Sequence, residues 1–156
     1  MSSENKQTIQ RMYDAFNKGD IDAVLANLTD DFAWYAPGAA PFAGQRSGRD
    51  EMRNYFAELN RWMQIDEFDA DEVLADGDKV VVLGRQRATV RETGSHFETR
   101  WAHVYTIRNG KVAAGEVYTD THAVASAFGQ STRERQALTG SLGITPPAFS
   151  GRGTPE

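Results

Sequence analysis

Apolar residues recur at helical spacing in the first part of the chain and at alternate positions through the second. Ile9, Met12, Tyr13 and Phe16 fall on one face of a helix that Ser2 or Ser3 can cap. Gly19, one residue after Lys18, suits the left-handed position that ends such a helix. Asp20 then starts a shorter helix whose stripe is Ile21, Val24, Leu25 and Leu28. Phe32, Trp34 and Ala36 alternate with Ala33 and Tyr35, which predicts a brief strand, and the Pro and Gly of the following PGAAPFAGQ predict an irregular loop. Ser47 with Asp50 resembles a capping box. It opens a third helix with Met52, Tyr55, Phe56, Leu59 and Met63 on the apolar face and Trp62 beside it.

From residue 65 onward the period falls to two. Strands are predicted at 65–75 and 80–91 around an Asp76-Gly77 turn, then at 97–107 and 112–120 around Asn109-Gly110. Residues 92–95 form the intervening turn, and a short helix at 122–128 closes the domain. The row Phe97, Thr99, Trp101, His103, Tyr105 and Ile107 is mostly aromatic, so it is either core or the wall of a pocket. On the strand at 80–91, periodicity favours burial of Val80, Val82, Gly84, Gln86, Ala88 and Val90 over Arg85, Arg87 and Thr89.

The last hairpin has two registers open to it. A two-residue Asn109-Gly110 turn pairs Ile107 with Val112 and sets His103 against Glu116 and Trp101 against Tyr118. A turn with Gly110 as the left-handed bulge residue sets His103 against Gly115 and Trp101 against Val117. We take the second, because it opposes the aromatic row with the small side chains of Ala113, Gly115, Val117 and Thr119 and leaves Glu116 and Tyr118 on the convex face.

Composition narrows the classes. A chain of 156 residues, 40% hydrophobic, suits one domain with a core. A net charge of -5 without a basic stripe argues against nucleic acid as a partner, and the lack of cysteine removes disulfide and thiolate chemistry. The opening MSSENKQ is polar and no apolar run nears the ~20 residues of a bilayer span, so no signal peptide, no membrane partner and a cytoplasmic location are expected. No metal-spaced His/Cys cluster, phosphate loop or nucleophile elbow is visible, and neither metal nor cofactor is expected. The domain is expected to span 1–128. The turn-rich extension 129–156 is expected to pack on it or on a dimer partner through Leu142, Ile144 and Phe149.

The segments YDAFNKGDIDAVLANLTDDF, GRDEM and RNGKVAAGEVYTDT, within residues 4–128, resemble the SnoaL-like branch of the nuclear transport factor two superfamily. That superfamily includes polyketide cyclases, ketosteroid isomerase, limonene epoxide hydrolase and scytalone dehydratase, and it specifies fold far better than activity. The resemblance implies an α+β cone: a curved, mostly antiparallel sheet, three N-terminal helices over its concave face, an apolar cavity, and a homodimer through the sheet. It also implies which machinery is missing. The carboxylate base of ketosteroid isomerase falls on Ala36 and its tyrosine near Met12, while its second oxyanion donor falls on His103. Of the Asp-Arg-Asp set of limonene epoxide hydrolase, the arginine falls on Arg85, but the aspartates fall on Arg87 and Val117.

The candidate catalytic residues are therefore His103, Arg85 and Arg87. His103 is a proton carrier or a histidine held in a mixed polar core. Against periodicity, the resemblance turns Arg85 and Arg87 inward, where they would hold an anionic group. Outward, they are solvated strand charges. Tyr13, Trp34, Phe56, Trp101, Tyr105, Val117 and Thr119 are the candidate ligand-contacting residues, with Trp34, Trp101 and Tyr105 able to sandwich a flat ring or simply to fill the core. Asp120 reads as the cap of the closing helix, and His96 and His122 as surface residues. Two functions follow: a cofactor-independent lyase, isomerase, cyclase or dehydratase acting on a small apolar or aromatic molecule, or a non-catalytic ligand-binding or dimerisation module.

Overall fold

A computed structural model describes residues 2–129 of the chain; the extension from 130 on, with Leu142, Ile144 and Phe149, lies outside the described residues. Helix α1 (Ser2–Asn17) buries Thr8, Ile9, Met12 and Tyr13, and its sequel Gly19 takes φ +76°. In α2 (Ile21–Ala26) the Asp20 carboxylate accepts the Ala23 N–H at 3.1 Å, the expected N-cap. Leu28 is not part of that helix. It begins strand β1 (Leu28–Ala36), where it is almost fully buried.

The loop expected after Ala36 is shorter than the sequence suggested, because Gly44–Ser47 forms strand β2, antiparallel to β1. A four-residue strand holding Gly, Gln, Arg and Ser carries no hydrophobic period that could reveal it. In α3 (Gly48–Trp62) the Ser47 side chain makes no capping bond, and Glu51 Oε1 accepts the Ser47 N–H at 2.7 Å. This is one half of a capping box, closed by Glu51 rather than Asp50.

Strands β3 (Met63–Asp76), β4 (Lys79–Val90), β5 (His96–Arg108) and β6 (Lys111–Thr119) follow, and α4 (Thr121–Phe128) closes the described chain. One six-stranded sheet runs β2-β1-β6-β5-β4-β3, antiparallel except between β1 and β6. Irregularities in β3 between Ile65 and Glu67 and between Ala70 and Glu72 break its pairing with β4. Such bulges bend a strand and sharpen its twist. The result is the expected α+β cone, with a curved sheet that does not close on itself and the helices packed on its concave side.

The last hairpin takes neither register whole. Arg108 pairs with Lys111 across Asn109 and Gly110, both at positive φ (53° and 78°), which is the two-residue turn we had set aside. Ala113 then bulges between the pairs Ile107↔Val112 and Thr106↔Ala114, so that His103 faces Val117 and Tyr105 faces Gly115. The bulge returns Gly115, Val117 and Thr119 to the concave side and leaves Glu116 and Tyr118 on the convex one. From Gly115 onward the faces are therefore as expected, although the turn and the partners differ and Val112 rather than Ala113 is buried against Ile107.

Candidate functional site

The even positions of β4 and the odd positions of β5 form the floor of the concave side: Val80 and Val82 are fully buried, and Trp101, His103 and Tyr105 nearly so. Helices α1 and α3 lower Tyr13, Phe16, Met52, Tyr55 and Phe56 onto that floor, and between them remains a cavity of about 130 Å³. It is lined by His103, Tyr13, Trp34, Phe56, Tyr105, Val117 and Thr119, all expected at the site. Among the described residues no Asp, Glu, Lys or Arg lines it, and no three His, Cys, Asp or Glu side chains are grouped as metal ligands.

At its polar end three side chains touch. The Tyr13 hydroxyl lies 2.5 Å from His103 Nδ1 and 2.9 Å from the Tyr105 hydroxyl, which is itself 3.2 Å from Nδ1. Burial drives the imidazole pKa down to about 3, so the ring is neutral at ordinary pH. Burial also pushes Tyr13 and Tyr105 well above the usual phenol range. With all three groups neutral, proton counting selects the tautomer. If Nδ1 accepts from Tyr13, whose oxygen accepts from Tyr105, only the Nε2–H is left unengaged. The opposite tautomer leaves both a Tyr105 proton and the Nε2 lone pair unused. We therefore assign the Nε2–H form, with a neutral donor at the cavity wall.

Ring contacts fix the imidazole in place. Trp101 stacks on it at 4.2 Å between centroids and 24° between planes, and Trp34 meets it edge-on at 5.5 Å and 85°. Trp101 itself does not line the cavity, contrary to expectation. It stacks instead on His103 and on Phe68, whose centroid is 4.8 Å away. The cause lies beneath it: Gly84 pairs with Trp101 across β4 and β5, and a Cβ there would stand 2.3 Å from the indole Cζ2. Without a side chain at 84 the indole lies flat on the sheet, as a support for His103 rather than a ligand contact.

Arg85 and Arg87 are not at the site either, a second correction. Both project from the opposite face of β4. Arg85 Nε donates to Asp71 Oδ2 at 2.9 Å and Nη2 to Asp69 Oδ2 at 3.2 Å, with the side chain 52% exposed. Arg87 Nη1 reaches Glu67 Oε1 at 3.4 Å. Periodicity pointed this way, and the acidic positions of β3 supply the partners; the inward orientation carried over from the resemblance does not hold.

Asp120 caps α4, its carboxylate accepting the Ala123 N–H at 3.0 Å, while His96 and His122 stay outside the cavity. Sequence reasoning passed over Tyr55, Phe68 and the wall made by Pro37, Gly38, Ala39, Ala40 and Phe42. Tyr55 was on the apolar stripe of α3, where its hydroxyl was the only signal. Phe68 sits in an acid-rich strand whose bulges hide the period.

The family model described as a SnoaL-like domain matches residues 9–115. No curated protein matches this sequence. Among solved structures, an NTF2-like protein from Burkholderia xenovorans LB400 is 30% identical with a TM-score of 0.77, covering 81% of this chain and 97% of its own. An NTF2-like protein from Burkholderia thailandensis E264 is 33% identical with a TM-score of 0.75, covering 80% and 96%. TerC, co-crystallised with polyporic acid, shares the fold at 24% identity and a TM-score of 0.70, covering 80% and 97%. No helix among the described residues is long and apolar enough to cross a membrane. With two thirds of the chain inside the family match, and a cone whose polar end is built from helix α1 and strand β5, this protein belongs to the SnoaL-like family of the NTF2-like superfamily.

Proposed function

We propose that the cavity binds a small, neutral, mainly apolar molecule of about one ring that presents an oxygen to His103 Nε2. The observation that carries this reading is the buried neutral imidazole, held through Nδ1 by Tyr13 at 2.5 Å, on the wall of an otherwise apolar hollow. A cavity of about 130 Å³ is close in size to the ~150 Å³ apolar cavity that admits benzene. Uncharged lining suits an uncharged ligand, since an unpaired ion there would lose its hydration without compensation.

Calorimetric titration of phenol and toluene, nearly equal in shape, tests it. Wild-type protein should bind both, with phenol about tenfold tighter through one hydrogen bond, and His103→Phe should weaken phenol while sparing toluene. If neither binds, or if the variant weakens both equally, the reading is wrong.

The linked Tyr13, His103 and Tyr105 favour a second reading, proton-transfer chemistry of lyase or isomerase type. A neutral imidazole N–H can stabilise an oxyanion that develops against it. Binding comes first because no carboxylate base lines the cavity among the described residues. The second reading requires wild-type protein, and not His103→Phe, to speed deuterium exchange next to the carbonyl of a small cyclic ketone. We also propose that two copies pair through the convex face of the sheet, where Leu83, Ala102 and Tyr118 lie side by side on β4, β5 and β6.

A further inference from the structure

Gln86 interrupts the apolar row on the concave side of β4. Val80, Val82, Ala88 and Val90 in that row are fully buried, whereas Gln86, which points the same way, is half-buried and lines the cavity. Space therefore stands over it where its neighbours are covered. One hydrogen of its carboxamide is in use: Nε2 donates to Thr99 Oγ1 at 3.1 Å, and Thr99 is itself buried on the adjoining strand. The side-chain atoms that are both fully enclosed and without a partner are the indole nitrogens of Trp34 and Trp101. The Gln86 oxygen, which makes no hydrogen bond among the described residues, is thus not sealed off and keeps accessible surface.

A carboxamide in an apolar wall is unfavourable unless its polar atoms are served. Thr99 serves one of them and fixes which way the group is turned, leaving the oxygen to whatever occupies the cavity. His103 and Gln86 stand far apart on the same wall. Val82 pairs with His103, and Gln86 lies four residues further along β4, roughly 13 Å at the ordinary rise of a strand. Val117, Thr119 and Phe97 line the same hollow, on the strands that carry it from one to the other. No hydrogen bond joins Gln86 to His103, Tyr13 or Tyr105, so the carboxamide can be altered without cutting the network around the imidazole.

We propose that Gln86 is a specificity-determining residue at the second end of the cavity, and that the ligand is a ring with an oxygen for His103 Nε2 at one end and a hydroxyl on a short arm, donating to Gln86 Oε1, at the other. This rests on the binding role of the cavity and adds to it the ligand's second polar group and how far that group stands from the first. A ring with one oxygen engages His103 alone; the arm reaches Gln86.

The test uses ligand pairs of equal shape, 4-(hydroxymethyl)phenol with 4-ethylphenol and 4-(2-hydroxyethyl)phenol with 4-propylphenol, each pair exchanging a terminal hydroxyl for a methyl. All four, with phenol alongside, are titrated by calorimetry into wild-type protein and into Gln86→Met, which keeps the length of the side chain and removes the carboxamide. In at least one pair the affinity ratio of hydroxyl to methyl ligand should be about tenfold higher in wild type than in the variant, the margin of one hydrogen bond. Because both members of a pair meet the same wall, the ratio cancels any general effect of the substitution on the cavity. Ratios equal in the two proteins, or wild-type protein that binds phenol and the methyl ligands but neither hydroxyl ligand, would overturn the proposal and leave the binding role intact. Wild-type protein that binds phenol but none of the longer ligands also overturns this proposal alone, and protein that binds none of the five overturns both. A measurement on unaltered protein covers a variant that fails to fold: the Gln86 side-chain amide resonances, assigned through their proximity to Thr99, should shift with the preferred hydroxyl ligand and not with its methyl counterpart. Resonances that respond equally to the two, or to neither, contradict the proposal.

Discussion

His103 is neutral because burial strips its charged form of water, and that makes it a proton-linked stability element. The unfolded chain protonates this ring at the ordinary value of about 6.5, whereas the folded chain resists until about 3. Acid therefore favours the unfolded state: the contribution is complete above about pH 6.5 and is lost as pH falls below it. Denaturant unfolding of wild type and His103→Gln between pH 7 and pH 4 should show their stability difference shrinking by about 1.4 kcal/mol per pH unit below the unfolded value. A pH-independent difference would mean that the imidazole is already charged or solvated. Tyr13→Phe should cost only about 1 kcal/mol, because the Tyr105 hydroxyl, 3.2 Å from Nδ1, remains to donate. The burial of His103 was legible in its strand, since the alternation from Phe97 to Ile107 holds without a break. Its partnership with Tyr13 was not, because those residues are ninety positions apart and only the docking of α1 joins them.

The hairpin of β5 and β6 and its neighbour β4 decide what the concave face can hold. Gly84 and Gly115 are flat places on which Trp101 and Trp34 lie, and each indole in turn positions His103. A methyl on Gly84 would stand 2.2 Å from the Asp69 carbonyl oxygen and 2.3 Å from Trp101, against backbone on one side and a packed ring on the other. Gly84→Ala should therefore destabilise the protein by about 1–3 kcal/mol through overpacking, read from the denaturant midpoint; a neutral effect would show that strand β4 is free to shift. Turn chemistry at Asn109-Gly110 was visible in the sequence, but a bulge at Ala113 was not. A bulge is set by curvature that the whole sheet requires, and alanine gives no sign of it. The same holds for β2, which exists because β1 offers it an edge and not because its own residues favour a strand.

At the scale of the molecule, the helices cover the concave face of the sheet, and among the described residues none packs on the convex one. Tyr35, Leu74, Leu83 and Tyr118 are exposed there, and cross-strand pairing joins Leu83 to Ala102 and Ala102 to Tyr118 in one row. Sedimentation of the proposed dimer should show two copies for wild type and one for the double variant Leu83→Lys with Tyr118→Lys; a wild-type monomer at micromolar concentration would refute pairing by this face. The cone and its lining were readable from three amphipathic stripes and an aromatic row. The outward course of the arginines was readable too, since alternation on β4 indicated it before any relative did. The most direct test of the whole account is a long-range ¹H–¹⁵N histidine spectrum at pH 5 with and without phenol. It should show His103 neutral, protonated on Nε2 alone, with that nitrogen shifting as phenol binds. A ring that titrates near pH 6.5, carries its proton on Nδ1, or ignores every oxygenated ring offered to it would contradict the account.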